Sequence, residues 1–125
     1  MNTVMRPDTA SPPRTVSERK QLLEQELRRY LRLLIEHGDP EQIIVFGSLA
    51  TGEVHAWSDI DLIIIERTDR PFWQRLREAR RLLQPRVGTD LLIYTPEEFQ
   101  QLCRERPFFQ EEILAKGTVL YERNR

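Results

Sequence analysis

Two aspartates, Asp59 and Asp61, open an apolar segment that continues to Ile65. Side chains alternate between the two faces of an extended strand, so both carboxylates would lie on the same side of the chain. Two like charges about 4 Å apart repel each other by on the order of 4 kcal/mol at an effective dielectric constant of about 20. The pair therefore requires either a bound cation or a raised pKa on one carboxyl group.

A third carboxylate, Asp90, interrupts another apolar segment, from Val87 to Tyr94. Aspartate is depleted in strands and is rarely buried unless it is paired or bound to a metal. Three carboxylates at neighbouring strand ends favour Mg²⁺ or Mn²⁺ over zinc. Two such ions about 3.5–4 Å apart support phosphoryl or nucleotidyl transfer. Taken singly, each aspartate is equally consistent with a structural role, Asp59 as a cap and Asp90 in an ion pair with an arginine.

Gly47 and Ser48 end the apolar segment that precedes the two aspartates. Glycine allows the backbone to approach a ligand closely. A helical turn that begins at Leu49 would direct its free N–H groups toward an anion. An ordinary tight turn explains the Gly-Ser pair alone better than a phosphate site does. The combination with three aspartates on neighbouring strands favours a site for phosphate and metal.

The composition indicates one globular domain, because the chain has 125 residues, of which 39% are hydrophobic and 31% are charged. The formal net charge of −1 gives no overall field that would attract nucleic acid. The single cysteine, Cys103, excludes an internal disulfide and a cysteine-based metal cluster. No apolar run approaches the roughly 18 residues of a membrane span, and no apolar signal core stands near the N-terminus. We therefore expect a cytoplasmic protein with no membrane or nucleic-acid partner.

The elements that position these residues alternate between helix and strand. Residues 1–14 are polar and proline-rich and are expected to form a disordered tail, whereas residues 15–125 are expected to form a single domain. Thr15 and Glu18 form a predicted capping box for a helix that ends near His37. The other predicted elements are strands at 42–46, 60–65, 87–94 and 118–121, a turn at 49–52, and helices at 71–84, 95–103 and 107–114. This order predicts an α/β (α+β) fold with a small mixed sheet of three to four strands flanked by helices.

Both long helices are predicted to be amphipathic. In the first helix the apolar stripe comprises Leu23, Leu27, Tyr30, Leu31 and Leu34, and the outer side Glu18, Arg19, Glu24, Arg28, Arg29 and Arg32. In the second helix the apolar stripe comprises Phe72, Leu76, Ala79 and Leu83. Five arginines in or after this helix are either a nucleic-acid patch or a solvated face that also contacts a partner: Arg75, Arg77, Arg80, Arg81 and Arg86. The low net charge favours the second reading.

For three further side chains near these elements, both a nucleotide-binding role and a structural role are possible interpretations. Trp57 and Trp73 could stack on a base, although tryptophan more often anchors a core or an interface. His55 could contact a nucleotide, but a plain loop position is the simpler reading.

The sequence Gly47-Ser48-Leu49-Ala50-Thr51-Gly52, followed by Ser58-Asp59-Ile60-Asp61-Leu62, resembles the signature of the DNA polymerase beta-like nucleotidyltransferase superfamily. In its small size the chain resembles the minimal nucleotidyltransferases (MNT proteins), which are related to kanamycin nucleotidyltransferase. The resemblance covers residues 42–94, and residues 113–121 look like the closing segment common in MNT proteins. It implies the polymerase beta-like nucleotidyltransferase fold.

The resemblance also implies roles for the motif residues. Asp59 and Asp61 would hold the two Mg²⁺ ions that bridge to the nucleotide, and Asp90 would ligate the second ion and activate the acceptor hydroxyl. Gly47 and Ser48 would contact the β- and γ-phosphates. The donor would be ATP, and AMP would be the transferred group.

The resemblance finally implies a partner. MNT proteins typically pair with a helical HEPN protein in a toxin–antitoxin couple, and the MNT antitoxin can adenylylate a Tyr, Ser or Thr of that partner. Many relatives carry Arg or Lys where this chain has Thr51. An alternative function is therefore a catalytically weak or inactive binding module that neutralises a HEPN partner by complex formation. A homodimer or a hetero-oligomer is expected in either case.

Overall fold

The fold is that of a computed structural model, which describes residues 15–123. The predicted disordered tail of residues 1–14 lies outside the described residues. In chain order the elements are α1 (Val16–His37), β1 (Gln42–Phe46), α2 (Ser48–Thr51), β2 (Ile60–Ile65), α3 (Phe72–Leu83), β3 (Thr89–Tyr94), α4 (Pro96–Glu105), a π-helix (Phe109–Leu114) and β4 (Thr118–Glu122). The predicted helices and strands are confirmed, with small differences at their ends, except that the helix predicted at 107–114 is a π-helix from Phe109 to Leu114.

Local capping explains where two of the helices begin. The Thr15 hydroxyl accepts a hydrogen bond from the Glu18 N–H, and the Glu18 carboxylate accepts one from the Thr15 N–H, each at 3.1 Å. Thr95 and Glu98 form the same capping box at the start of α4, with Pro96 in its first turn. Each box satisfies N–H groups that have no partner within the helix. The capping box predicted at Thr15 and Glu18 is therefore confirmed, and the structure shows a second one at Thr95 and Glu98.

The four strands form one mixed sheet in the order β3-β2-β1-β4. β1 is antiparallel to both β2 and β4, whereas β2 and β3 are parallel. A parallel pair needs a crossover connection, which α3 provides. This arrangement confirms the predicted α/β fold with a small mixed sheet.

One row of the sheet brings the motif strands into register. Phe46 in β1 pairs with Asp61 in β2, and Asp61 pairs with Asp90 in β3. Neighbours in a row project to the same face of a sheet. β1 ends at this edge, and β2 and β3 begin there. The loops after Phe46, before Ile60 and before Thr89 therefore converge.

The two faces of the sheet are covered by different elements. The face shared by Ile43, Leu62 and Ile64 packs against α1 and α3. The opposite face, with Ile63 and Ile65, packs against α4 and the π-helix through three buried side chains, Phe99, Phe109 and Ile113. Because side chains alternate along β2, Asp61 belongs to this second face. No helix among residues 15–123 is long and apolar enough to cross a membrane.

The predicted stripe of α1 is largely confirmed, but Arg19 was assigned to the wrong side of this helix. Arg19 is only 3% exposed. It lies four residues before Leu23, and residues at this spacing share a helix face, so the buried stripe extends to Arg19. The buried guanidinium can only be accommodated because it finds hydrogen-bond partners at the start of β2.

Two assignments in α3 are also wrong. Arg75 is not on a solvated face but is buried, with an ion pair of 2.7 Å to Glu98 in α4. Phe72 is 38% exposed at the first residue of the helix, where its ring packs on that of Tyr94. Helical spacing alone cannot tell which of these two positions is buried, because the contact with α4 determines which one is covered.

The Glu26 carboxylate ties α1 to the end of α3. It accepts hydrogen bonds of 2.8 and 2.6 Å from the Arg29 guanidinium and one of 2.7 Å from the Arg86 N–H. Arg29 also donates to the Leu83 carbonyl at 2.7 Å. Burial favours the neutral carboxyl, but the hydrogen bonds from Arg29 and Arg86 outweigh it, so the pKa of Glu26 is lowered. The ionised carboxylate therefore stabilises the packing of the two helices.

Replacing Glu26 with glutamine should lower the free energy of unfolding by about 3 kcal/mol near neutral pH, because a buried ion pair loses one partner. Since the folded-state pKa lies below the ordinary value of 4.5, this stabilisation is present above that value and is lost as the pH falls through the folded-state pKa. Urea unfolding at neutral and at acid pH should show a difference that shrinks on acidification. Glu36→Gln, at an exposed position of the same helix, is the control. An equal loss in both variants would contradict the role of Glu26.

Candidate active site

The site lies at the edge of the sheet where β1 ends and β2 and β3 begin. Gly47 directly follows β1 with a φ of 73°, in the left-handed region that favours glycine. A Cβ on Gly47 would overlap the carboxylate of Asp61. The position must therefore lack a side chain, both for its backbone conformation and for its contact with Asp61.

Asp61 and Asp90 are paired across neighbouring strands, so their carboxyl groups lie side by side on the same face of the sheet. Burial raises the pKa of Asp61 to about 6, and the neighbouring carboxyl group of Asp90 and the charge of Asp59 add to this effect. Burial and like charge both disfavour the ionised form of Asp61. The electrostatic conflict expected from the sequence is therefore present, but its closest pair is Asp61–Asp90 and not Asp59–Asp61.

Asp90 is exposed, although the argument from the sequence treated it as a buried charge within a strand. The reason is topological, because β3 is an edge strand and Asp90 lies close to its first residue, beside the open end of the sheet. The structure thus brings Asp90 to Asp61 as predicted, and leaves it accessible to a second reactant.

Asp59 is held from the side of α1. The buried Arg19 donates from Nε to the Ser58 carbonyl at 2.8 Å, and its Nη2 lies 3.6 Å from Asp59 Oδ1. The backbone of Gly88 also lies against this carboxylate, so that a Cβ there would overlap it. Asp59 keeps about half of its side chain exposed. Its carboxylate therefore lies near the Asp61–Asp90 pair, on the side that faces solvent.

The donor set fits a hard cation at Asp61 and Asp90. Carboxylate oxygens are the ligands that Mg²⁺ prefers, and a bound cation would relieve the repulsion between the two carboxylates. No group of three or more His, Cys, Asp or Glu side chains among residues 15–123 is already arranged around a metal position. Asp59 would therefore join as a further ligand only after its carboxylate turned from Arg19 toward the pair.

Ser48 is the first residue of α2, a helix of four residues that begins beside Asp61. The Gly47 carbonyl accepts the N–H groups of Ala50 and Thr51 at 3.0 and 3.1 Å. The first N–H groups of a helix point away from its body, so those of Ser48 and Leu49 face outward. This local geometry is compatible with a bound phosphate, although so short a helix adds little dipole.

Positive charge near the carboxylates comes from Arg19 and from α3. Thr51 is exposed and supplies only a hydroxyl, which contacts the Ser48 carbonyl and Glu53. Arg80 donates to the Thr89 carbonyl at 2.9 Å and so reaches the strand end next to Asp90. By contrast, Arg67 pairs with Glu41 at 2.7 Å beyond the other end of β2.

Sequence reasoning missed Arg19 and Gly88 as parts of the site. The spacing of Arg19 from Leu23 was a usable signal, because it placed a charge on a buried helix face. Gly88 had no such signal, since its role depends on the approach of Asp59 from another element. A separate cleft of about 560 Å³ lies at the opposite end of β2, and its lining contains none of the predicted site residues.

Comparison with protein families defines the class of protein. The family model described as "Polymerase beta, Nucleotidyltransferase" matches residues 29–125, which is most of the chain. The chain therefore belongs to this nucleotidyltransferase family.

Solved structures agree with the fold. A protein from Sulfolobus solfataricus, provisionally described as a nucleotidyltransferase, is similar with a TM-score of 0.63 and 14% identity, over 92% of this chain and 93% of its own. At this identity the likeness shows the fold alone. A chain from a toxin–antitoxin structure with AMP-PNP has a TM-score of 0.47 and 19% identity, over 78% of this chain and 73% of its own, which is too low to support an argument about function. No curated protein matches the chain significantly by sequence.

Gly47→Ala should be clearly more destabilising than Gly52→Ala, for two reasons. Gly52 has a left-handed helical conformation with open space around its Cα, so alanine there should cost about 1–2 kcal/mol of stability. Gly47 has φ 73° and ψ −155°, a region essentially restricted to glycine, and its new methyl group would also meet the Asp61 carboxylate. Chemical denaturation of Gly47→Ala with and without Asp61→Ala separates the two reasons, because removal of the Asp61 side chain should relieve only the contact. Equal losses from Gly47→Ala in both backgrounds would show that the contact with Asp61 contributes nothing.

Proposed function

We propose that the protein is a minimal nucleotidyltransferase that transfers AMP from Mg-ATP to a hydroxyl group and releases pyrophosphate. The observation that carries the proposal is the Asp61–Asp90 carboxyl pair beside Gly47, in a chain of the nucleotidyltransferase family. Such a pair is unfavourable unless a cation or a proton lies between its members. A magnesium-bound triphosphate would supply this cation, with its phosphates at the backbone of Gly47 and Ser48.

The proposed roles are those that the motif resemblance implies, and the positions of the side chains are compatible with them. Asp61 and Asp90 hold Mg²⁺, with Asp59 as the further ligand, and Mn²⁺ would suit the same oxygen donors. Mg²⁺, when bound, neutralises the triphosphate and polarises the reacting oxygens. Gly47 and Ser48 contact the β- and γ-phosphates through backbone N–H groups and the Ser48 hydroxyl. Asp90, being exposed, receives the proton of the acceptor hydroxyl.

The proposed acceptor is a side chain of another protein. The carboxylates lie at an open edge of the sheet, and Trp57, in the loop before Asp59, is 54% exposed. An exposed tryptophan beside a reactive site is typical of an interface. Together with the motif resemblance, this supports a Tyr, Ser or Thr of a cytoplasmic HEPN toxin as acceptor, in a hetero-oligomer in which this chain is the antitoxin.

A non-catalytic binding module is the second candidate. Thr51 supplies no charge to the triphosphate, and Arg19 lies 3.6 Å from Asp59, where it competes with a metal ion for that carboxylate. In this case the chain neutralises a HEPN partner through complex formation alone.

Isothermal titration should show that Asp61→Asn and Asp90→Asn weaken Mg-ATP binding by roughly ten- to hundredfold or more, because each removes a charged metal ligand. The matched control is Asp69→Asn, an exposed aspartate beyond the other end of β2. Unchanged affinity in both site variants would contradict the assignment of the metal and the nucleotide.

Transfer itself can be tested with labelled ATP and the protein encoded by the adjacent open reading frame, which we expect to be a HEPN protein. Wild type and Asp69→Asn should label the partner, whereas Asp61→Asn should bind the partner without labelling it. A stable complex without label in the wild type would favour the binding module. Equal labelling by wild type and Asp61→Asn would exclude Asp61 from the reaction.

A further inference from the structure

Four aromatic rings form a continuous series on the second face of the sheet. Tyr94 packs on Phe109 with centroids 5.8 Å apart, Phe109 on Phe108 at 5.5 Å, and Phe108 on Phe46 at 6.0 Å. All three contacts are edge-to-face, a favourable arrangement for aromatic pairs. Tyr94 is the last residue of β3 and Phe46 the last residue of β1, so the series crosses the sheet toward the carboxylate end.

Phe108 is the exposed member of this series nearest the candidate active site. It is 47% exposed, whereas Phe46 and Phe109 are each 8% exposed. Phe46 directly precedes Gly47 and is paired with Asp61, and its side chain lies on the same face as that of Asp61. Directly opposite residues in a sheet have Cβ atoms about 5 Å apart, which places the Phe108 ring on the order of 10 Å from Asp61.

The position of the Phe108 side chain is fixed more firmly than is usual for an exposed residue. Single exposed apolar residues are ordinary on protein surfaces. Phe108, however, immediately precedes the π-helix, and π-helical turns are rare and are frequently found at functional sites. The π-helix is anchored by Phe109 and Ile113, both buried in the second core. The ring is therefore presented at a fixed position by two buried rings and an anchored helix.

We infer that Phe108 is the platform on which the base of the bound nucleotide stacks, and this inference rests on the proposed function. With the triphosphate at Gly47 and the metal at Asp61 and Asp90, the base extends over the second face onto the Phe108 ring. Stacking uses the flat face that every base has and reads no base edge. The ligand class is therefore a nucleoside triphosphate with weak discrimination between bases, in which the larger purine rings stack more strongly than pyrimidines.

Other exposed aromatic side chains do not offer an equivalent platform. Phe72 and Trp73 lie at the start of α3, near the opposite end of the sheet, and the Trp73 ring is covered by the Arg77 guanidinium at 4.9 Å. Trp57 is closer to the site, but it lies in a loop and its ring makes no aromatic or cation–π contact among residues 15–123. Trp57 is therefore the competing candidate that the experiment must separate from Phe108.

The test compares Mg-ATP with Mg-tripolyphosphate, which has the phosphates but no base. Phe108→Ala should weaken Mg-ATP binding by about tenfold or more and leave tripolyphosphate binding unchanged. Phe108→Trp should restore the affinity for ATP, since the stacking surface is retained. Leu114→Ala, at a 58% exposed position of the π-helix, is the matched control and should change neither affinity.

The other outcomes are distinguishable. If Phe108→Ala binds both ligands as the wild type does, or if Trp57→Ala alone produces the selective loss of ATP affinity, the inference is overturned while the phosphate and metal site stands. Equal weakening of both ligands by Phe108→Ala would overturn it as well, because the effect would then be structural. If the wild type binds neither ligand, the proposed function fails, and the inference with it.

Discussion

The repulsion between Asp61 and Asp90 is the constraint on which the arrangement of this protein depends. The two residues share one row of a parallel strand pair, so their carboxyl groups cannot separate without a change of register. Gly47 closes against the same carboxylate and leaves no side chain between the backbone and the pair. Burial and the neighbouring carboxyl groups together raise the pKa of Asp61 to about 6. A site of this kind is poised to accept a cation.

Three arginines join the elements around this pair of carboxylates, and Arg19 and Arg75 are buried whereas Arg29 is partly buried. Arg19 links α1 to the start of β2, Arg29 links α1 to the end of α3, and Arg75 links α3 to α4. A guanidinium removed from water is unfavourable unless its donors are satisfied, so each one fixes the relative position of two elements. The helices therefore cannot slide without exposing or orphaning a charge. Arginine contacts outside the candidate site thus keep the strand ends that carry Asp61 and Asp90 in place.

The two faces of the sheet are covered to different extents, and this difference explains where a ligand can enter. α1 and α3 cover one face with a core that extends along the strands. The other face is covered by α4 and the short π-helix, and Phe108 beside them is 47% exposed. This face therefore carries the acidic pair and an exposed aromatic ring, close to the turn at Gly47. The proposed binding of metal-bound phosphates and of a base requires these features.

The sequence by itself determined the elements, the fold class and the motif, because capping boxes, turn residues and hydrophobic periods are local and are set by backbone sterics and hydrogen bonding. It also identified Gly47 and the three aspartates, whose spacing is fixed along the strands. Only the tertiary structure decided which carboxyl groups touch, that Asp90 is exposed, and that Arg19 is buried. Those outcomes depend on strand order and on which helix covers which face. They arise from contacts between residues far apart in the chain, for which no local pattern exists.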